Sequence, residues 1–319
     1  MNISIPFVIV FIISLGDFVM KQYIGIDLGG TNVRVGKVNE EGEITYVQKS
    51  PSFAHEGVEK VVSNIVEMLK NNEMADVEAI GIGLPGPIKR GQRIMPSMNN
   101  VEGCEGYPIA EVIEKEFGKP VYLINDANCA GLAEYANMKE KYDVMYYLTH
   151  STGIGGALIV DGKVVEGYKG LAGEVGYINV VDSDVSYYDL PCGAIEGEAG
   201  GRALKRKGKQ LIDEKIQGAT EVFALAKSGN EIAMKIIDDT ADYMAKILME
   251  ICFVVSPECI VIGGGCTKSF DVYYQPMIDK FNNYTIDLFK DIKIEKASCP
   301  DSGIIGAAFH SRNMIKEEH

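Results

Sequence analysis

Positive charge is scarce in this sequence. Lys and Arg total 31 against 45 Asp and Glu in 319 residues, a formal net charge of −14. The longest basic cluster, Lys205-Arg206-Lys207-Gly208-Lys209, reads as a solvated helix end. A chain without a basic stripe is a poor binder of a phosphodiester backbone, so no nucleic-acid partner is expected. Histidine is also rare, with four residues spread through the chain (His55, His150, His310, His319), and no two of the seven cysteines form a Cys-x-x-Cys pair. A structural zinc site is therefore not expected. The cysteines are odd in number and scattered, which fits reduced thiols in a cytoplasmic protein. No G-x-x-x-x-G-K-[ST] loop occurs, which removes the Walker type of nucleotide site. Ile5 to Leu15 is apolar, but it is too short for a comfortable membrane span and no Lys or Arg precedes it. Residues 1–19 are expected to be an upstream extension outside the fold, and no membrane partner is expected.

What is present is ordinary globular material, 46% hydrophobic and 24% charged, long enough for two domains of about 150 residues each. The apolar run Tyr23-Ile-Gly-Ile-Asp27, closed by Gly29-Gly30 and followed by the alternating Val33 to Val38, predicts a β-hairpin. Helical spacing of Val58, Val61, Val62, Ile65, Val66 and Leu69 predicts an amphipathic helix over 57–71. Strands are predicted at 79–84 and 120–124, with a short helix over 109–117 between them, and Ile88 to Ile94 has hairpin character. The second half repeats the plan. A strand over 144–148 leads to the turn Thr152-Gly-Ile-Gly-Gly156 and the arm 157–160. A long helix over 232–254 is capped by Asn230, with Ile232, Ile236, Met244, Leu248 and Ile251 near one face. A strand over 259–262 and a final helix over 304–311 follow. Two α/β halves that each open with a glycine-turned hairpin suggest a duplicated architecture with a cleft between the halves.

Four glycine-rich turns follow strands, at 27–34, 81–86, 152–156 and 263–265. Glycine lets backbone N–H groups approach an anion, so several such turns around one cleft could cradle a polyphosphate without lysine. The segment Gly81 to Gly86 formally fits G-x-G-x-x-G, but Pro85 and Pro87 deny it the helix that a dinucleotide fold needs there. Asn125-Asp126 stands at the end of an apolar strand and just before a helical stretch. A carboxylate at that point can take the proton of an attacking hydroxyl, or it can simply cap the helix.

The ordered motifs resemble the ROK family (repressors, open reading frames and kinases) from Tyr23 to the C-terminus. Asp27-Leu-Gly-Gly-Thr-Asn-Val-Arg34 is similar to the family's first phosphate loop, Gly83-Leu-Pro-Gly86 to its second strand motif, and Asn125-Asp126-Ala-Asn128 to its catalytic N-D-A-N. Thr152-Gly-Ile-Gly-Gly156 resembles the second phosphate loop, Gly173-Glu174-Val-Gly176 the G-E-I-G-H segment, and Ile262-Gly-Gly-Gly265 the adenosine turn. The resemblance implies an α/β, two-domain actin-like ATPase fold of duplicated ribonuclease H type with a central cleft. The domains would be residues 20–136 with 302–319, and residues 137–301. It implies Asp126 as catalytic base and Asn100, Asn125, Glu174 and Glu196 as sugar-hydroxyl ligands, with Tyr177 beside them. Asp27, Gly29, Gly30, Thr31, Asn32, Thr152, Gly153, Gly264 and Gly265 would face ATP, with Mg2+ bridging its phosphates and no protein metal ligand assigned. The implied reaction is phosphorylation of a hexose, with glucose at C6 as the family's modal case and a homodimer as its habit.

The departures from the family pattern fall on the sugar side. Tyr177 replaces the histidine of G-E-I-G-H, only Cys192 remains of the zinc loop expected near 187–194, and Cys104 stands where many family glucokinases carry tryptophan. Loss of the histidine together with the thiolates is coherent, since one zinc needs about four ligands, and no structural zinc is expected. N-acetylmannosamine is the rival substrate, with allose, fructose and mannose behind it. Two other function classes remain to be weighed. A sugar-sensing regulator would carry a basic winged helix before the first strand, where only apolar sequence stands. A sugar-independent ATPase would have no use for Asn125, Asp126 and Glu174 together.

Overall fold

Tyr23, Ile24, Ile26 and Leu28 are all buried, as a central strand covered on both faces demands. In the computed structural model, which describes residues 21–98 and 100–318, they belong to β1 (Gln22–Leu28). β1 pairs antiparallel with β2 (Asn32–Asn39), and β3 (Ile44–Pro51) extends the meander. After α1 (Val58–Lys70), β4 (Val77–Leu84) returns parallel to β1, and after α2 (Ile109–Phe117), β5 (Val121–Asn125) lies parallel to β4. The sheet order is β3-β2-β1-β4-β5.

α3 (Asp126–Asn137) leads to a second sheet. Its strands are β6 (Val144–His150), β7 (Ile154–Val160) and β8 (Lys163–Val164), then β9 (Cys259–Gly263) and β10 (Lys293–Lys296). Between β8 and β9 come α4 (Ile195–Ala199), α5 (Gly201–Leu211), α6 (Ala219–Lys227) and α7 (Glu231–Val255), and α8 (Phe270–Tyr284) precedes β10. The order β8-β7-β6-β9-β10 repeats the first sheet strand for strand, with the same antiparallel and parallel pairings. The α/β duplication expected from the two hairpins is thus present in the topology.

α9 (Ser302–Glu318) closes the chain. Together with α3 it fills the space between the sheets. Leu132 and Ala133 of α3 and Ile304, Ile305, Ala308 and Phe309 of α9 share one core with Tyr23 and Ala79 of the first sheet and Tyr147 and Val261 of the second. Glycine sets how close α9 comes. Gly25 of β1 and Gly81 of β4 are register partners, and a Cβ on either would run into the carbonyl of Ile304 or of Ala307. Gly81 and Gly83 are therefore strand-interior packing glycines, and only Gly86, at φ 98, turns the chain there. The G-x-G-x-x-G spacing arises from helix packing and makes no phosphate loop.

Some sequence expectations meet a different outcome. Residues 88–94 form a turn without a strand ladder. Gly170 packs so near Ile88 that a Cβ there would meet its backbone, and the flanking prolines offer no N–H donor. Asn230 caps α7 as expected, its side chain accepting from Ala233 N at 2.9 Å. Ile232, however, points outward at 46% exposure while Ile236, Met244, Leu248 and Ile251 are buried. The run at 205–209 is a helix interior: Lys207 donates to the Glu198 carbonyl at 2.7 Å, and the Arg206 guanidinium lies 3.4 Å from the Tyr187 ring centre. The expectation for residues 1–19 lies outside the described residues. No helix among those described is long and apolar enough to cross a membrane.

Candidate active site

All five residues of β5 are buried, and the strand ends at Asn125, whose side chain has two tasks. Its Oδ1 accepts from Asn128 N at 3.0 Å and so caps α3, and its Nδ2 donates to Gly86 O at 3.0 Å, fixing the turn after β4. The next residue, Asp126, is thereby set at the first position of α3, with Oδ1 accepting from Ala127 N at 2.8 Å. Asp126 lines a cleft of about 670 Å³ between the two sheets and meets solvent through its mouth. Protein nevertheless surrounds the carboxylate. This desolvation pushes its pKa above the ordinary 3.8, the Ala127 N–H partly offsets the rise, and the charge of Asp27 adds to it.

The facing wall comes from the second sheet. Gly173, at φ 89, lets Glu174 hang over the start of β7, where a Cβ on Gly155 would stand 3.4 Å from Glu174 Oε2. Tyr146 OH donates to Gly173 O and holds that segment down. Burial first, then the negative charges of Asp126 and Glu196, pushes the Glu174 carboxyl up to about 7, so near neutrality it is available both to donate and to accept a hydrogen bond. Tyr177, on the short 3-10 turn Val175–Tyr177, also lines the cleft and is half exposed. Glu196 of α4 reaches the turn between β6 and β7, with Oε2 accepting from Ile154 N at 3.0 Å and Oε1 accepting from Arg202 Nη2 at 2.7 Å.

That turn is clamped by its surroundings. Gly201 N donates to Ser151 O at 2.8 Å and Arg202 N to Thr152 O at 2.9 Å, so the start of α5 is spent on the turn. A Cβ on Gly153 would meet the Glu196 carboxylate, which would have to shift to admit it. His150 sits fully buried behind it between Tyr273 OH, 3.1 Å from Nδ1, and Ala199 O, 2.9 Å from Nε2. Burial pushes this imidazole down to about 4, which keeps it neutral. Gly264, at φ 92, packs against the His150 backbone, and Gly265 lies beside Ser151.

The structure brings together Asp126, Asn100, Asn125, Glu174, Tyr177, Glu196, Thr152 and Gly153 around one cleft. Asp27, Gly29, Gly30, Thr31, Asn32, Gly264 and Gly265 do not line the cleft. Asp27 is occupied by Arg34, whose Nη2 and Nε donate to Oδ2 at 2.7 and 3.1 Å. The Asn100 amide rests over Gly30, where a Cβ would come within 2.7 Å of Nδ2. Cys104 lies beneath the surface, its Sγ accepting from Met98 N at 3.2 Å, and does not line the cleft. Sequence reasoning gave no role to Arg202, Leu171 or Met98, all of which line it. Among the described residues, no three His, Cys, Asp or Glu side chains are grouped as metal ligands. The segment leading to Cys192 is tied instead by Asn179 Nδ2 donating to Cys192 O at 2.7 Å and by tyrosine–arginine stacking.

The model of the ROK family matches residues 23–313. The glucokinase of Thermotoga maritima is 30% identical over 93% of this chain and 98% of its own length. The ROK hexokinase from Thermus thermophilus superposes with a TM-score of 0.84 at 28% identity, covering 93% of this chain and 99% of that one. A ROK family glucokinase from Streptomyces griseus, solved in complex with glucose and AMPPNP, superposes with a TM-score of 0.73 at 26% identity over 92% of this chain and 99% of its own. The actin-like ATPase architecture expected from the motifs is the one shared with these structures.

Proposed function

Given that this chain belongs to the ROK family, we propose that it transfers the terminal phosphoryl group of ATP to a hexose hydroxyl, with Asp126 as the base. The observation that carries the reading is the placing of Asp126. Its carboxylate stands at the head of α3 within the cleft, and the raised pKa brings its basicity nearer to that of a working proton acceptor. Asn100, Glu174 and Glu196 supply hydrogen-bonding groups for sugar hydroxyls from the surrounding walls. Phosphoryl transfer asks the protein mainly for positioning and charge neutralisation, and the clamped 151–153 turn supplies a fixed backbone for it. Mg2+ usually keeps several waters and takes phosphate oxygens as ligands. Bound there, Mg2+ would neutralise phosphate charge, and Asp126 is a cleft carboxylate that could hold one of its waters.

The protein's own part in the reaction is to hold the hydroxyl against Asp126, accept its proton on the carboxylate, and exclude water as the lobes close. The lobes in this reading are residues 20–136 with 302–319, and residues 137–301. Glucose, phosphorylated at C6, is the substrate we favour. N-acetylmannosamine is the second reading, because Tyr177 and Leu171 give the sugar wall an apolar surface suited to an acyl methyl. A coupled assay of ADP release against glucose, N-acetylmannosamine, N-acetylglucosamine, mannose, fructose and allose tests both. One of the first two should raise ADP release well above the sugar-free rate. A rate indifferent to every sugar would sink the kinase reading and favour a plain ATPase.

A further inference from the structure

Charge is unevenly supplied to the cleft. Among the described residues that line it, Asp126, Glu174 and Glu196 are carboxylates and Arg202 is the one Lys or Arg. A polyphosphate approaching such a wall meets net negative charge and needs an offset at close range. Arg202 stands where that offset would be useful, because its backbone N is bonded to Thr152 O in the turn assigned to the phosphates. Its side chain, 46% exposed, is lightly held. Nη2 donates to Glu196 Oε1, the one hydrogen bond the guanidinium makes among the described residues, and the group lies over the Tyr188 ring at 4.4 Å. Tyr188 is placed for this contact at some expense. It and Asp189 both adopt left-handed backbone, at φ 57 and 63, which residues with side chains rarely take, and the Tyr188 hydroxyl donates back to Arg202 O at 3.2 Å.

Resting on the kinase reading above, we propose that Arg202 is a phosphate-binding residue that changes partner: Glu196 and Tyr188 hold it as seen here, and the terminal phosphates of the bound nucleotide take it over. A planar guanidinium matches phosphate oxygens in a two-pronged contact, and a terminal phosphate carries more charge than the single carboxylate it displaces. Tyr188 then acts as a fixed platform along which the guanidinium swings. The exchange also frees Glu196 Oε1 for a sugar hydroxyl, while Oε2 keeps Ile154 N in place.

Calorimetric titration of the full chain with Mg-AMPPNP, ADP and AMP tests this. Arg202→Gln should weaken AMPPNP by about tenfold or more and leave AMP, which has no terminal phosphates, within about twofold. Glu196→Gln removes the competing charge yet keeps an acceptor for Ile154 N, and it should tighten AMPPNP by about two- to tenfold. An AMPPNP affinity of Arg202→Gln within about twofold of the parent overturns the proposal. So does an equal loss for all three nucleotides, which would mark a structural role. If Arg202→Gln does not melt cooperatively, Glu196→Gln carries the test, and unchanged or weaker AMPPNP binding there overturns the assignment. A parent protein that binds none of the three nucleotides overturns the kinase reading and this proposal with it. Normal parent binding with an indifferent Arg202→Gln overturns only the latter.

Discussion

Asp126 and Glu174 are both carboxyls displaced upward, yet their displacement predicts different things. Asp126 works as a base only when ionised, so turnover should fall as pH drops through its raised pKa. The acid limb of the rate profile should therefore lie above the ordinary 3.8. Asp126→Asn should lower kcat by about 10²–10⁴ while sugar affinity stays near that of the parent, as steady-state kinetics and titration of the sugar can check. Glu174 speaks to stability. Its folded pKa of about 7 lies above the usual 4.5, so the folded state gains from the proton and loses stability as pH rises between those values. Glu174→Gln should accordingly melt higher than the parent at pH 8.5, with the advantage shrinking towards pH 5, even as sugar use declines. A constant difference in melting temperature across that range would contradict the desolvation account. Arg202 belongs at this scale too: it lies six residues beyond Glu196, across the break at Gly200 between two helices, a spacing no helical periodicity connects.

Among elements, the most telling contact is the one between α9 and the strands beneath it. Gly81→Ala places a methyl group against the Ala307 carbonyl and should destabilise the protein by about 2 kcal/mol or more, measurable in urea melts. Gly118→Ala serves as comparison. At φ 64 with open space around it, that change should cost only about 1 kcal/mol. The contrast shows how far the sequence could be read. Periodicity located α1, α7 and the β1–β2 hairpin because each buries a regular stripe over several turns or residues. It could not reveal that Gly81 serves packing, since the partner carbonyl lies more than two hundred residues away. The edge strands β3 and β10 also escaped notice, because they are mostly exposed or half-buried and lack the apolar run that marked β1 and β9. The site followed the same rule. Motif order pointed to Asp126, Glu174 and Glu196, while Leu171 and Met98 came from loops whose approach to the cleft only tertiary packing decides.

Viewed whole, the molecule is two copies of one sheet plan with two helices pressed between them, and the cleft opens where α3 begins. α3 and α9 cross at Gly306, where a Cβ would strike the Cys129 backbone. Cys129 itself is fully buried, its thiol pushed well above the ordinary value by burial and by the nearby Asp27 and Asp126. Reactivity with a disulfide reagent requires a thiolate and access, and this cysteine has neither while the crossing stays intact. It is thus a built-in clock for the parting of α3 and α9. Site-resolved mass spectrometry should find Cys192, which is exposed, modified at once and Cys129 modified only at the pace of local opening. Ligands held against Asp126, at the head of α3, should slow that clock and leave Cys192 unchanged, so a thiol with no part in the chemistry would report, molecule by molecule, how often α3 and α9 part.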